Sequence, residues 1–526
     1  MPELNRRAFL QQSIVTATGM LGVSALAHAA TDSPLATTRH GQVRGYRDNG
    51  VNVFKGVRYG ADTAPRRFMA PLAPQRWSGV RDALEHGPAS PQSSREDAMD
   101  EDCLFLNVYS PALRDGARRP VMFYIHGGAY NNGSGSSPLY DGVRLCRRGD
   151  VVVVTVNHRL NAFGYLYLAR HGGPQFIDSG NAGQLDLILA LQWVHDNIAE
   201  FGGDPDNVTV FGQSGGGAKI ATLMAMPAAA GLFHRAATMS GQQVTASGPL
   251  NAALRAQAIL DALGLPADRV DAIRTIAYQR ILAVLGTRDP VLPFGGVSFA
   301  PVLDERNLLR HPFYPDAPGQ SARIPMMIGN THDETRAFLG GDAANFRLTW
   351  DALPAKLATN MRVDIQPEMV IAAYRKLYPT LSPGDLLFKI TTASRSWRGA
   401  IIEAEERARA GTPAYVYQLD WATPKDGGKF GAPHASDIQL VFDNIGKPGA
   451  TAIGPQAQPM ADMMSEAFIA FARSGKPAGK RIPRWEPYDM TRRQTMIFDV
   501  PPRMENDPRG AERKLFAKVP YVQPGT

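Results

Sequence analysis

Ser214 stands at the centre of Gly212-Gln213-Ser214-Gly215-Gly216. An apolar, β-branched run over residues 208–211 leads into it, and a helix-like pattern follows from Ala218 to Pro227. Strand, sharp turn and helix with a serine at the apex lifts a hydroxyl clear of a sheet edge. The N–H groups of the following helix then point back at it. Glycines flank the serine because side chains there would collide with the neighbouring strand and helix. A serine hydroxyl is a weak nucleophile, so this chemistry needs a base to take its proton and a third group to orient the base.

In hydrolases built on such a turn, the partners follow in the chain order serine, acid, histidine. Of the 11 histidines only His434 lies beyond residue 332, in the loop-like run Gly431-Ala432-Pro433-His434. It is the candidate base. Many carboxylates lie between Ser214 and His434. Glu334 follows a predicted strand over 324–328 and a turn at Gly329-Asn330-Thr331, and the carboxyl ends of strands are where α/β sheets place their chemistry. Its neighbour Asp333 competes with it on chemistry alone, and Asp304 is a weaker candidate. His332 would need an acid later in the chain, against the usual order. A tetrahedral intermediate also needs N–H donors for its oxyanion. His126-Gly127-Gly128-Ala129-Tyr130, directly after a predicted buried strand, is the expected donor loop, and Gly215 supplies a further N–H.

The elements that must position these residues are legible as short apolar runs. Residues 121–125 and 151–156 read as strands buried on both faces of a parallel sheet. Leu185, Ile188, Leu189, Val194 and Ile198 recur at helical spacing, and Gly202-Gly203 stops that helix before the strand that leads to Ser214. Further strands are predicted at 414–419 and 495–498. Strand and helix alternate, which predicts an α/β fold with a central, mostly parallel sheet and helices on both faces. Residues 30–526 read as one catalytic domain, with helical insertions over the active site at about 250–320 and 341–410; these insertions and the segment around Ile438–Phe442 are expected to line the substrate pockets.

The chain has 526 residues, 44% of them hydrophobic and 20% charged, the profile of an ordinary globular protein. Residues 1–29 stand apart. Arg6-Arg7-Ala8-Phe9-Leu10 precedes a mild apolar stretch, and Ala27-His28-Ala29 supplies a small-x-small cleavage pattern. This predicts a twin-arginine-type export signal and a periplasmic or secreted mature chain. No later apolar run reaches the roughly 18 residues of a membrane span. The net charge is +7, and removing Arg6, Arg7 and Glu3 with the leader lowers it to about +6. The basic residues are scattered rather than interleaved with aromatics, which argues against a nucleic-acid partner. The two cysteines, Cys103 and Cys146, show no metal-ligand spacing, and their sequence positions leave a mutual disulfide open.

Together these segments resemble the type B carboxylesterase family, which includes cholinesterases, para-nitrobenzyl esterases and some fungal lipases. The similarity covers nearly the whole mature chain. Residues 201–216 match the family's serine signature, and Glu101-Asp102-Cys103-Leu104-Phe105-Leu106-Asn107-Val108 matches its second signature. Val156-Asn157-His158-Arg159-Leu160, Gly180-Asn181-Ala182-Gly183, and Phe471-Ala472-Arg473-Ser474-Gly475 with Trp485 are also similar. The resemblance implies an α/β-hydrolase fold. It implies Ser214 as nucleophile, His434 as general base and Glu334, rather than Asp333, as the acid. The oxyanion donors it implies are the N–H groups of Gly128, Ala129 and Gly215, and Ser240 falls where the family keeps a serine near the acid. Departures are visible too. Ser90 stands near the position of the family's disulfide partner for Cys103, so that bond is expected to be absent. No tryptophan precedes Glu101 to stack on a quaternary ammonium group, which does not support a choline-ester preference. Gln213 and Gly215 replace the commoner glutamate and alanine around the serine.

The expected activity is hydrolysis of a small-molecule carboxylic ester through an acyl-enzyme, with no cofactor and no metal. An amidase, carbamate hydrolase or thioesterase would use the same triad, and matched ester, amide and thioester substrates separate these. A non-catalytic, cholinesterase-like adhesion module is the rival outside enzymes, and a fluorophosphonate probe would not label it. For the leader, changing Arg6 and Arg7 together to lysine is expected to keep the protein in the cytoplasm, as read by fractionation; undiminished export would refute the twin-arginine assignment.

Overall fold

The computed structural model describes residues 33–94, 98–292, 295–523 and 525; the predicted export signal at 1–29 lies outside them. Fourteen strands are described: β1 (Leu35–Thr38), β2 (Gly41–Arg44), β3 (Tyr46–Asp48), β4 (Val51–Arg58), β5 (Val80–Asp82), β6 (Phe105–Ser110), β7 (Arg119–Ile125), β8 (Val152–Val156), β9 (Gly203–Gln213), β10 (Arg235–Met239), β11 (Met326–Thr331), β12 (Ala414–Leu419), β13 (Gln494–Phe498) and β14 (Arg503–Asn506). Strands β1, β2 and β5 form a small sheet, and the other eleven form one large sheet in the order β14-β13-β12-β11-β10-β9-β7-β8-β6-β4-β3. Every pairing from β8 across to β13 is parallel, and the outer pairings on both sides are antiparallel. This is an α/β-hydrolase fold, with β9 at the middle of the large sheet.

The apolar runs form strands because both faces are covered. Val121, Phe123 and Ile125 of β7 pack into one core cluster, while Met122 and Tyr124 enter the other. The period-two alternation of side chains thus feeds two helical layers from one strand. On the first face the helix Ala182–Asn197 contributes Leu187, Leu191 and Val194; on the second the helix Ala457–Ser474 contributes Met460, Met464 and Phe468. The helices Pro249–Leu263 and Pro383–Thr392, from the two predicted insertion regions, bury their apolar faces in satellite clusters of their own.

Three local expectations need correction. The helix after Ser214 begins at Gly215, not at Ala218, because the glycines fold into its first turn against backbone that leaves no room for side chains. Gly329-Asn330-Thr331 are the last residues of β11 rather than a turn, held by parallel pairing to Tyr417, Gln418 and Leu419. The segment from Ile438 to Phe442, expected among the pocket walls, is core: Ile438, Leu440, Val441 and Phe442 are buried beneath the sheet's second face. Cys103 and Cys146 are separate, buried free thiols, and the Ser90 hydroxyl lies beside Cys103 where the family disulfide would need a sulfur.

One buried ion pair ties the layers together. Arg159, in the loop after β8, sends Nε and Nη2 to Asp186 at 2.8 and 2.6 Å, and its backbone N–H donates to the same carboxylate at 2.9 Å. A further Arg159 nitrogen donates to the Met69 carbonyl at 2.8 Å. Both side chains are buried. Removing one partner strands a charge in the core, which costs about 3–5 kcal/mol. Asp186→Ala is therefore expected to lower the thermal midpoint markedly, measured by differential scanning calorimetry, and an unchanged midpoint would contradict this account.

Candidate active site

The site is assembled at the carboxyl end of the parallel strands. Strand β9 ends at Gln213, and Ser214 takes φ 56° and ψ −124°, a conformation outside the ordinary regions for a side-chain-bearing residue. The neighbouring structure fixes it there. The Ser214 N–H donates to the Met239 carbonyl of β10 at 2.7 Å, and its own carbonyl accepts the Ala218 N–H at 3.1 Å. The helix Gly215–Leu223 then runs back under the sheet. At Gly216 a Cβ would stand 1.9 Å from the Ile125 carbonyl oxygen, so only glycine lets this turn settle on the end of β7.

His434 and Glu334 come together across one hundred residues. The fully buried Glu334 follows β11, and its Oε2 hydrogen-bonds His434 Nδ1. Its other oxygen accepts the Thr331 N–H at 2.9 Å and the Asn330 side-chain amide at 3.1 Å. Burial pushes the Glu334 carboxyl up, but the attraction of His434 and these hydrogen bonds outweigh it and hold the group below its ordinary value. The competing acids lie elsewhere. Asp333 faces His332 and Arg336 and accepts the Ala432 N–H at 3.1 Å, bracing the loop that carries His434. Asp304 is taken up by Asn181, Asn307 and the N–H groups of residues 306–308. On the far side of the imidazole, Nε2 meets the side-chain amide nitrogen of Gln213 at 3.1 Å. With Nδ1–H directed to Glu334, Nε2 carries the lone pair. The Ser214 hydroxyl itself has no hydrogen bond to a described residue, and it opens with His434 onto a cavity of about 180 Å³.

Gly128 at φ 87° and Ala129 at φ 53° turn the loop after β7 over the serine. Among the described residues the N–H groups of Gly128, Ala129 and Gly215 have no acceptor, so all three remain free to meet an anion. Ser240, at φ 51°, lines the cavity floor beside Glu334, which its hydroxyl helps to keep ionised without a well-formed hydrogen bond. Among the described residues, no cluster of three or more His, Cys, Asp or Glu side chains could hold a metal ion.

Three contributions escaped the sequence reading. Lys219, fully buried in the helix after Ser214, donates to the Ala129 carbonyl at 2.8 Å and lies near the His126 carbonyl at 3.4 Å. Burial pushes its ammonium down to about 7. A lone lysine in the apolar stretch Ala218–Leu223 was the available signal. Asp437 is fully buried three residues after His434 and accepts the Tyr417 hydroxyl at 2.9 Å; burial and the nearby Glu334 charge push it up to about 6. The amide of Gln213 on His434 is the third.

Lys219 also accounts for Gly215. The Ala129 carbonyl, turned toward the ammonium, occupies the space where residue 215 would carry a side chain: a Cβ there would stand 2.0 Å from that oxygen. Gly215→Ala must therefore displace the donor loop. Its kcat against a p-nitrophenyl ester is expected to fall by about 100- to 1,000-fold, on the scale of losing one oxyanion donor, and wild-type kcat in a folded variant would refute the link.

The chain is similar to known proteins over most of its length. The profile of the carboxylesterase family matches residues 32–516. The chain is 35% identical over 505 residues to the para-nitrobenzyl esterase of Bacillus subtilis (strain 168), covering 92% of this chain and 98% of that one. It is 31% identical over 533 residues to human (Homo sapiens) carboxylesterase 3, covering 89% and 88%. Among solved structures, the Geobacillus stearothermophilus carboxylesterase EST55 at pH 6.2 superposes with a TM-score of 0.81 at 37% identity, covering 92% of this chain and 99% of that one. The match over residues 32–516, with relatives covering about nine-tenths of the chain, places this protein in the carboxylesterase family of serine hydrolases, which cleave carboxylic esters.

Proposed function

We propose that the protein hydrolyses its ester in two steps through an acyl-enzyme on Ser214. The observation that carries this reading is the His434 imidazole, held by the Glu334 carboxylate at Nδ1 and lining the same cavity as Ser214. Ser214 Oγ attacks the acyl carbon while Nε2 takes its proton, and Glu334 stabilises the imidazolium that results. Nε2 has one in-plane lone pair, so the Gln213 amide gives way as the serine hydroxyl takes its place. The developing oxyanion is met by the N–H groups of Gly128, Ala129 and Gly215. The ester C–O bond breaks, the alcohol leaves with the proton from Nε2, and a water repeats the sequence to release the acid and restore Ser214.

Export of the mature chain by its leader is part of the same proposal and rests on Arg6-Arg7 with the apolar stretch behind them. Ser214→Ala is expected to lower kcat for a short-chain p-nitrophenyl ester by about 10⁴-fold or more, and a fluorophosphonate probe is expected to label the wild type and not the variant. Full activity in a pure Ser214→Ala sample would overturn the mechanism.

A further inference from the structure

The cavity that Ser214 and His434 open onto has a cationic wall. Arg395 lines it from a five-residue π-helical segment, Ala393–Trp397, set between the helices Pro383–Thr392 and Arg398–Arg409. Such a segment inserts a residue into a helix and redirects a side chain, a device found often at functional sites. The Arg395 guanidinium stacks on Phe338 at 4.5 Å from the ring centroid, and the same ring packs against His434 at 4.7 Å. The two contacts in sequence bound the distance from the arginine to the imidazole.

Arg395 lines that cavity without an anion. Several buried arginines of this chain are matched to carboxylates, Arg67 to Glu101, Arg159 to Asp186, Arg255 to Asp289 and Arg509 to Glu512, and the fully buried Arg407 is held by the Ser321 and Ile324 carbonyls. Arg395 has no ion pair and no hydrogen bond among the described residues, and burial pushes its guanidinium pKa down. The acidic groups around it cannot neutralise it. Glu334 is committed to His434, and the Tyr521 phenol is pushed up by burial to about 12 and stays neutral. Glu403, behind Gln243, is pushed up by burial to about 8 and keeps its proton at neutral pH. Arg362 adds positive charge close to it. Tyr521 lines the same cavity within electrostatic reach of the guanidinium, and its hydroxyl has no hydrogen bond to a described residue. A desolvated cation with a fork of free donors, beside a free hydroxyl, is complementary to a carboxylate.

We propose that Arg395 receives a free carboxylate on the substrate, so that the site selects esters bearing a second, anionic carboxyl group. The inference rests on the ester-hydrolase reading above and names the substrate class for it. The separation between Arg395 and His434 suits a spacer of roughly two to four carbons between the scissile carbonyl and the carboxylate. Monoesters of short dicarboxylic acids carry it on the acyl side; esters of short hydroxy acids carry it on the alcohol side.

The test compares charged and neutral esters of matched shape. On the acyl arm these are p-nitrophenyl hydrogen glutarate and p-nitrophenyl pentanoate; on the alcohol arm, 3-carboxypropyl butanoate and pentyl butanoate followed by pH-stat. The wild type is expected to favour the carboxylate ester in kcat/KM on one arm, which also assigns the side. Arg395→Gln is expected to lower that charged-to-neutral ratio by about 10- to 100-fold, the scale of a hydrogen-bonded ion contact, with Arg395→Lys recovering part of it. A wild-type ratio at or below one on both arms, or a ratio unchanged in Arg395→Gln, overturns the proposal while leaving ester hydrolysis intact. Should Arg395→Gln fail to fold, the wild-type ratios and Arg395→Lys still decide. No turnover of any of the four esters would overturn the ester reading along with it.

Discussion

The backbone of Ser214, forced to φ 56° between the middle strand of the large sheet and the helix beneath it, is the constraint on which the other features depend. A side-chain-bearing residue in such a conformation costs of order 1–3 kcal/mol and persists only where its surroundings over-determine it. Here they do. Strand β9 is paired on both sides, the Ser214 N–H is tied to β10, and the following helix buries all nine of its residues. The same crowding that enforces the turn draws the loop after β7 against it, so the donor groups and the hydroxyl are positioned by one set of backbone contacts.

Around that turn the charges are arranged by burial rather than by solvent. Glu334 stays ionised because His434 and two donors face it, whereas Asp437, a short distance away and equally buried, is pushed upward. His126, at the start of the loop after β7, stacks on His158 at 4.8 Å, and burial with the nearby Lys219 charge holds both well below the ordinary imidazole value, His126 down to about 3. They are neutral spacers, and His434 differs from them in holding a carboxylate on one nitrogen and the Gln213 amide on the other.

Much of this was legible in the sequence where it depended on local pattern. The valine-rich runs of β7 and β8 and the strand–serine–helix turn could be read because parallel strands buried on two faces need unbroken β-branched segments. His434 was singled out as the candidate base by elimination, and Glu334 was separated from Asp333 only by family likeness; in the structure the carboxylate turned toward the imidazole is that of Glu334. What stayed hidden depended on packing between distant segments. Gln213 meets His434 across 221 residues, and Tyr521 reaches the cavity from near the end of the chain. The sequence marks Arg395 as one arginine among many. Its lack of a carboxylate is a property of the folded neighbourhood, as is the redirection of its side chain by a π-helical turn. The helix start at Gly215 was misplaced because three glycines read as a flexible turn until the backbone opposite them is known.

The shared volume of Ala129, Gly215 and Lys219 has a further consequence, for how the chain can change. The Ala129 oxygen satisfies the buried ammonium and fills the place of a side chain at 215, so the three positions are not independent sites. A lineage moving from this arrangement to the alanine common elsewhere in the family cannot make that exchange first. It must first relieve the lysine of its need for the carbonyl, then rotate the peptide, and only then admit the methyl group. Contacting residues of this kind show strongly non-additive effects, and the order of substitutions becomes part of what the structure specifies.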